Sequence, residues 1–382
     1  MDKLGMIEGT LSSEFGDLVA YEFFKNLALS ALGIFIPIII YDASGNFFVP
    51  ALYLVVKSGV STVSAVPIMR FLASKGFEKG LYLSYLFILP SILLLRFLDY
   101  SLSMVLAVAV MYSIGKTLHG EAKRLEFTED TTEEERDKRS ADITSIPNMG
   151  RFLGPLIAGS LSVSFGFGAM LTFAFSMVAL SLIPLTRLDK SIEKKSVSFS
   201  GIFRREYWKY MPVLAARGAQ GIVSVAFYGL FTYEFVSGSF GSGLVRSLDT
   251  LGFVLVAYAS AWITGRVSRN TIIIAGSTAA AITYGARTLV QTSFQGFLVA
   301  FLGGIAFKLY HIPLFSQLAD EAESTSKTDF FALSRVCSSL GMAVASLIFL
   351  ILQPVDVLLA FQTVFVFAAA MTLTLPLIES RL

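Results

Sequence analysis

The chain has 382 residues, of which 54% are apolar and only 15% charged, where a soluble domain carries about a quarter charged residues. Its formal net charge of +2 gives no electrostatic footprint for a nucleic-acid partner, and a single cysteine, Cys337, excludes an internal disulfide. With 34 phenylalanines, the composition is that of a polytopic membrane protein, expected in the cell membrane as a monomer among lipid.

The opening residues, MDKLGMIEGTLSSEFGD, are polar and lack the basic-then-apolar layout of a cleaved signal, so the first span is expected to target the chain. A helix needs about 20 mainly apolar residues to cross a bilayer. Twelve stretches meet that requirement: 18–41, 47–73, 79–98, 101–122, 142–163, 166–186, 210–235, 244–264, 271–291, 294–316, 331–352 and 355–378. Most links are short and carry turn residues, such as Asp42-Ala-Ser-Gly-Asn46. Two are longer: 123–141 is dense in charge of both signs, and 187–209 is basic and lies halfway along the chain. The predicted fold is all-α, with six-helix bundles at 1–186 and 210–382 joined by a cytoplasmic linker at 187–209. Placing both termini in the cytoplasm gathers the basic links at 70–79, 123–139, 187–209 and 266–269 on the inner face, as the positive-inside rule requires.

The second half repeats the first. The only two histidines sit in Lys116-Thr-Leu-His119 and Lys308-Leu-Tyr-His311, separated by 192 residues. Lys25 and Arg217 share that offset, as do Tyr41-Asp42 and Tyr233-Glu234. Toward the end of each half the offset falls to about 187, because the first half carries the longer charged loop. Two parallel halves related by an axis along the membrane normal are a layout of secondary transporters.

Several motifs resemble those of the major facilitator superfamily, and the likeness runs the full length of the chain. Ala261-Trp-Ile-Thr-Gly265-Arg266-Val-Ser-Arg269-Asn270 is similar to the family's G-x-x-x-D-R-x-G-R-R link, keeping both arginines and lacking the aspartate. The first copy, around Lys75, fits with a one-residue deletion. Lys116-Thr-Leu-His119-Gly120 stands where proton-coupled members carry R-x-x-Q-G. Gly150-Arg-Phe-Leu-Gly154-Pro155-Leu-Ile-Ala158-Gly159 resembles the antiporter motif of the fifth helix. Its physical content is close helix approach at small residues and a kink at proline. Phe24-Lys25-Asn26-Leu27-Ala28-Leu29 is faintly similar to a stretch of the organophosphate/phosphate antiporters, with Phe24 replacing the first basic residue. The resemblance implies alternating access, with Lys75, Gly150, Gly154, Pro155, Arg266 and Arg269 in gating or packing, and spans 1, 4, 7 and 10 lining a central path.

Each lysine or arginine at mid-membrane costs about 2.5–3.5 kcal/mol to insert, so such residues snorkel, pair or line water. Arg96, Arg246 and Arg287 lie toward the outer span ends, where snorkelling or pairing is expected, with Asp249 one turn from Arg246. Glu22 lies one turn before Lys25, and Arg151 and Arg335 are placed to meet loop acids. Lys116, His119, Lys308 and His311, with Lys25 and Arg217, form the candidate substrate site, since no acid lies within a turn of Lys308 or His311. Ammonium and imidazole together suit a carboxylate or phosphate, and Glu22, His119 and His311 are the candidates for carrying a coupling proton. A metal is not expected, because two histidines flanked by lysines without thiolates make a poor ligand set. No nucleotide-binding or catalytic motif occurs, so no cofactor is expected and the protein is not expected to be an enzyme.

The leading expectation is a secondary transporter of a small organic anion, coupled to a proton or a counter-anion. The alternatives are a multidrug or amphiphile exporter of the same fold, favoured by the fifth-helix motif and abundant Phe, and a non-transporting membrane receptor or assembly partner.

Overall fold

The computed structural model describes residues 14–97, 101–129, 133–187, 204–263, 267–324 and 327–376. Arg266 and most of the 187–209 linker lie outside them. So do the side chains of 126–146, which cover most of the charged 123–141 link.

The described chain is helical nearly throughout. Helices α1 (Glu14–Ser44), α2 (Phe48–Lys75), α3 (Phe77–Arg96) and α4 (Leu102–Glu129) follow one another with short turns. Gly76, at φ 91°, makes the α2–α3 turn in a backbone conformation that side chains disfavour. α5 (Glu133–Leu180) bends where Gly166 takes φ 77°, and a short helix, α6 (Leu182–Leu185), continues it. After a 3₁₀ turn at Arg205–Tyr210, α7 (Met211–Ile222) and α8 (Tyr228–Thr232) are joined by a π turn at Val223–Phe227. A second π turn, Tyr233–Ser237, ends at Gly238, whose φ of 62° turns the chain into α9 (Gly238–Ile263). Then come α10 (Arg269–Ala286), α11 (Ser293–Ser324), α12 (Lys327–Leu352) and α13 (Val357–Leu373). Ser268 caps α10 and Asp356 caps α13, each accepting a backbone N–H from three residues on.

Among the described residues, eight helical stretches are long and apolar enough to cross a membrane, so the chain is a multi-pass membrane protein. α4 and α5 run further into the charged 123–141 link than hydropathy predicts. Apolarity ends at the membrane edge, but Glu, Lys and Arg are good helix formers and carry the helix on.

Packing is close at glycine. Gly150 and Gly154 of α5 face the Phe23 and Leu27 carbonyls of α1, with the Phe23 oxygen 2.6 Å from where a Cβ at 150 would stand. Further along α5, Gly159 and the Pro155 carbonyl meet Ser239, Phe240 and Gly243 of α9. The α7–α12 contact repeats the device: Gly218 faces the Ser338 carbonyl and Gly341 the Ala215 carbonyl. Contacts across the chain's midpoint are themselves paired under the repeat. α2 packs on α12, and its counterpart α9 packs on α5.

Gly218→Ala is expected to lower stability by about 1–3 kcal/mol through overpacking. Gly59→Ala, with nothing within 4 Å of its Cβ, is expected to leave stability unchanged or slightly raised. Thermal unfolding of both variants in detergent checks the contrast.

Candidate functional site

A cavity of about 550 Å³ opens between the helices before and after the midpoint. α1 contributes Asn26, Leu29, Ser30 and Gly33, and α4 contributes Lys116, His119, Gly120 and Lys123. Both sets run i, i+3, i+4, i+7, one face of a helix. Arg124, Arg151 of α5, Arg246 of α9, Val225, Phe315 and Phe331 complete the wall. Five lining side chains are therefore lysine or arginine, and none of the described lining residues is acidic.

The counter-charges stand behind the wall. Glu22, 2% exposed, is ion-paired to Lys123 and accepts a hydrogen bond from Asn26 at 3.1 Å. Arg151 Nε donates in turn to Asn26 Oδ1 at 3.2 Å. Glu121, fully buried, lies 3.3 Å from Arg124 and 3.7 Å from Arg335, whose guanidinium also donates to Thr117 at 3.0 Å. Arg246 pairs with Asp249, as their spacing predicts. Lys116 has no carboxylate partner among the described residues. Its ammonium stands 5.7 Å from the Tyr112 ring centroid.

A smaller cavity of about 250 Å³ adjoins the first and shares Arg151, Val225 and Arg246 with it. Its other walls include Gln220, Ser224, Asp249, Thr250, Phe253, Phe307 and His311. Gln220 is fixed at both ends, donating to Thr372 at 2.7 Å and accepting from Tyr310 at 2.5 Å.

At the far end of α1, residues from before and after the chain's midpoint close on each other. Tyr233 donates to Asp42 at 2.6 Å, Tyr41 stacks on Phe47 at 4.2 Å, and Phe47 meets Phe349 and Phe361 edge-on. The Tyr41-Asp42 and Tyr233-Glu234 pairs thus meet across the repeat.

The sequence candidates divide. Lys116 and His119 line the larger cavity and His311 the smaller. Lys25 is fully buried away from both, its ammonium 3.5 Å from the Tyr85 ring centroid and donating to Ser84 at 3.4 Å. Arg217 bonds His311 Nε2 at 3.0 Å. An arginine only donates, so Nε2 is the acceptor here and the ring proton sits on Nδ1. Lys308 stands over Phe253, 3.8 Å from its centroid. His119 Nδ1 is 3.1 Å from the Tyr21 hydroxyl. Lys75 and Arg269 are exposed, and Arg266 lies outside the described residues.

Four of the five lining cations fall outside the sequence-derived site. Lys123 and Arg124 read as loop residues because hydropathy ends the fourth span at 122, yet Lys123 continues the Lys116–His119 face. Arg246 reads as an outer-end residue. Arg151 lies inside the glycine motif, one residue after the Gly150 that seats α5 on α1. Arg287, expected to snorkel, is instead only 2% exposed, held between Tyr228 and Tyr284 at 4.3 and 4.5 Å.

No protein-family model matches the chain, and no curated protein does. Among solved structures it is similar to a POT family transporter in complex with a thioalcohol-conjugated peptide, at 13% identity, TM-score 0.77 and 96% coverage of each chain. A POT family transporter in complex with 5-aminolevulinic acid matches at 14% identity and TM-score 0.75, over 96% of this chain and 95% of the other. The peptide transporter POT in complex with sulfate matches at 11% identity and TM-score 0.73, over 96% and 94%. POT transporters have the major facilitator fold. At this identity the likeness establishes that fold, over almost the whole chain.

Glu121→Ala is expected to cost about 3–5 kcal/mol, because it leaves Arg335 without its buried counter-charge. Glu121→Gln, which keeps the hydrogen-bond acceptor for Arg124, is expected to cost less. Thermal unfolding of the purified variants distinguishes the two.

Proposed function

We propose that the protein is a secondary active transporter of a small organic anion, working by alternating access through the cavity between its two halves. The observation that carries this reading is the larger cavity's wall, with Lys116, Lys123, Arg124, Arg151 and Arg246 and no carboxylate among its described residues. Among the described residues, Lys116 has no carboxylate partner, so an anion entering the cavity meets an uncompensated donor there in a site of low dielectric. Two of the similar structures support the chemistry, since they hold 5-aminolevulinic acid and sulfate.

The proposal includes twelve crossings in two six-helix halves, 1–186 and 210–382, about the 187–209 linker, with both termini in the cytoplasm and the protein in the cell membrane. Two of the eight apolar stretches, Pro147–Leu185 and Tyr207–Val256, span 39 and 50 residues and turn at Gly166 and Gly238, which supports counting each as two. At about 1.5 Å per residue, 50 residues far exceed one bilayer. α10 and α13 supply the remaining two. Exchange for a second anion or symport with a proton would couple the transport.

The test is uptake of labelled carboxylates and phosphate esters into proteoliposomes, with and without a pH gradient. Anion uptake that falls about tenfold or more in kcat/KM on Lys116→Gln is expected, since a charged hydrogen bond is worth about 1.5–3 kcal/mol. The exposed Arg205→Gln serves as the unaffected control. Uptake of lipophilic cations in place of anions would move the reading to an amphiphile exporter, and anion flux indifferent to Lys116→Gln would overturn the assigned site.

A further inference from the structure

The smaller cavity extends the first beyond the cations the two share. Those shared walls, Arg151 and Arg246, stand at the junction of the two chambers. Beyond that junction the lining includes the rings of Phe253 and Phe307, the hydroxyls of Ser224 and Thr250, Gln220, and the carboxylate of Asp249, which is paired with Arg246. Phe253 is backed by the Lys308 ammonium, which fixes its ring, and Phe307 lies 4.9 Å from the His311 ring. The hydroxyls are already committed as donors or held by neighbours. Thr250 gives its proton to the Arg246 carbonyl at 3.0 Å, and Ser224 is held by Tyr284 at 2.9 Å and Arg287 at 3.2 Å. What Thr250 has left is acceptor capacity. His311, with Nε2 occupied by Arg217, has an N–H at Nδ1. A chamber with two aromatic faces, an open acceptor and an open donor is complementary to a flat group that carries a hydroxyl. Its volume accommodates about one ring.

Building on the anion-transport reading above, we infer that the substrate is an organic anion in two parts. Its acid group sits at the Arg151/Arg246 junction facing Lys116, and a flat, hydroxyl-bearing arm of about one ring fills the smaller chamber. Lys116, Lys123 and Arg124 serve any anion, whereas Phe253, Phe307 and Thr250 select among anions by their arms.

The experiment is a competition titration on the purified full-length protein with three probes that share a carboxylate: acetate, phenylacetate and 4-hydroxyphenylacetate. The expected order is 4-hydroxyphenylacetate tightest and acetate weakest, with at least a tenfold span. Phe253→Leu, which keeps an apolar side chain but removes the ring, should shrink the phenylacetate-over-acetate ratio at least threefold. Thr250→Val, close to isosteric, should shrink the hydroxyl's share of the ratio. If acetate and 4-hydroxyphenylacetate bind equally, or if the ratio survives both substitutions, the two-part inference is wrong while the anion reading stands. If no carboxylate binds and lipophilic cations do, the anion reading itself fails.

Discussion

A cation drawn into a membrane protein must be paired, wetted or laid against an aromatic face, because moving it bare out of water costs several kcal/mol. Around the central cavity this protein uses all three. Glu22, Glu121 and Asp249 pair with Lys123, Arg124, Arg335 and Arg246. Tyr85 and Phe253 take the ammonium groups of Lys25 and Lys308. The cations left over, Lys116 and Arg151, open onto the cavity. Their position is what makes the cavity a site and not a packing gap. An apolar void of this size would be cheaper to fill with side chains, while a void lined with ammonium and guanidinium groups holds water or an anion.

The charge can stand there because the backbone around it is held by side chains that are almost absent. Gly150 and Gly154 let α5 lie directly on α1, which brings Arg151 to the same wall as Asn26. Pro155, with no N–H, leaves the Arg151 carbonyl without its helical partner and loosens the helix at that level. Hydrocarbon gives helices no hydrophobic reason to associate, so close van der Waals contact at small residues is the main force available. The antiporter-like glycine motif thus has a structural account in this chain, independent of any exchange chemistry.

How much of this the sequence discloses depends on the range of the cause. Helical spans come from local apolarity, and the repeat from two matching Lys-x-x-His stretches, so both are legible without coordinates. Lys116 and His119 emerge for the same reason, as local helix spacing. Lys25 and Arg217 carry the same repeat signature, yet they sit in different surroundings, one on Tyr85 and the other on His311. Repetition marks common ancestry of position, and it does not assign a common partner. Arg151, Arg246 and Arg287 depend on which helices cross, which no local pattern encodes. Lys123 was within reach, since it extends the 116–119–120 face by one turn. Hydropathy hides it, because the scale ends the span where the charge begins even though the helix continues.

Contacts across the chain's midpoint combine glycine packing with side-chain hydrogen bonds. Glycine meets backbone at α1–α5 and α7–α12, and again across the midpoint, where Gly243 of α9 faces the Pro155 carbonyl of α5. Across α2–α12 the contact is hydroxyl on hydroxyl, Ser339 donating to Ser61 at 3.0 Å, and Ser61 in turn bonds Thr117 of the neighbouring α4 at 3.0 Å. Across α5–α9 Ser247 donates to the Phe152 carbonyl at 2.6 Å. Such bonds between membrane helices are worth about 0.6 kcal/mol on average. The two that cross the midpoint total less than one buried ion pair loses when it is broken. The charged link between the halves, Arg335 to Glu121, stands on the cavity-bearing side, and the aromatic layer of Tyr41, Phe47 and Tyr233 closes the opposite end. The cavity therefore lies between an ion pair on its own side and an aromatic layer at the opposite end, with glycine packing and single hydroxyl bonds along the helices that join them.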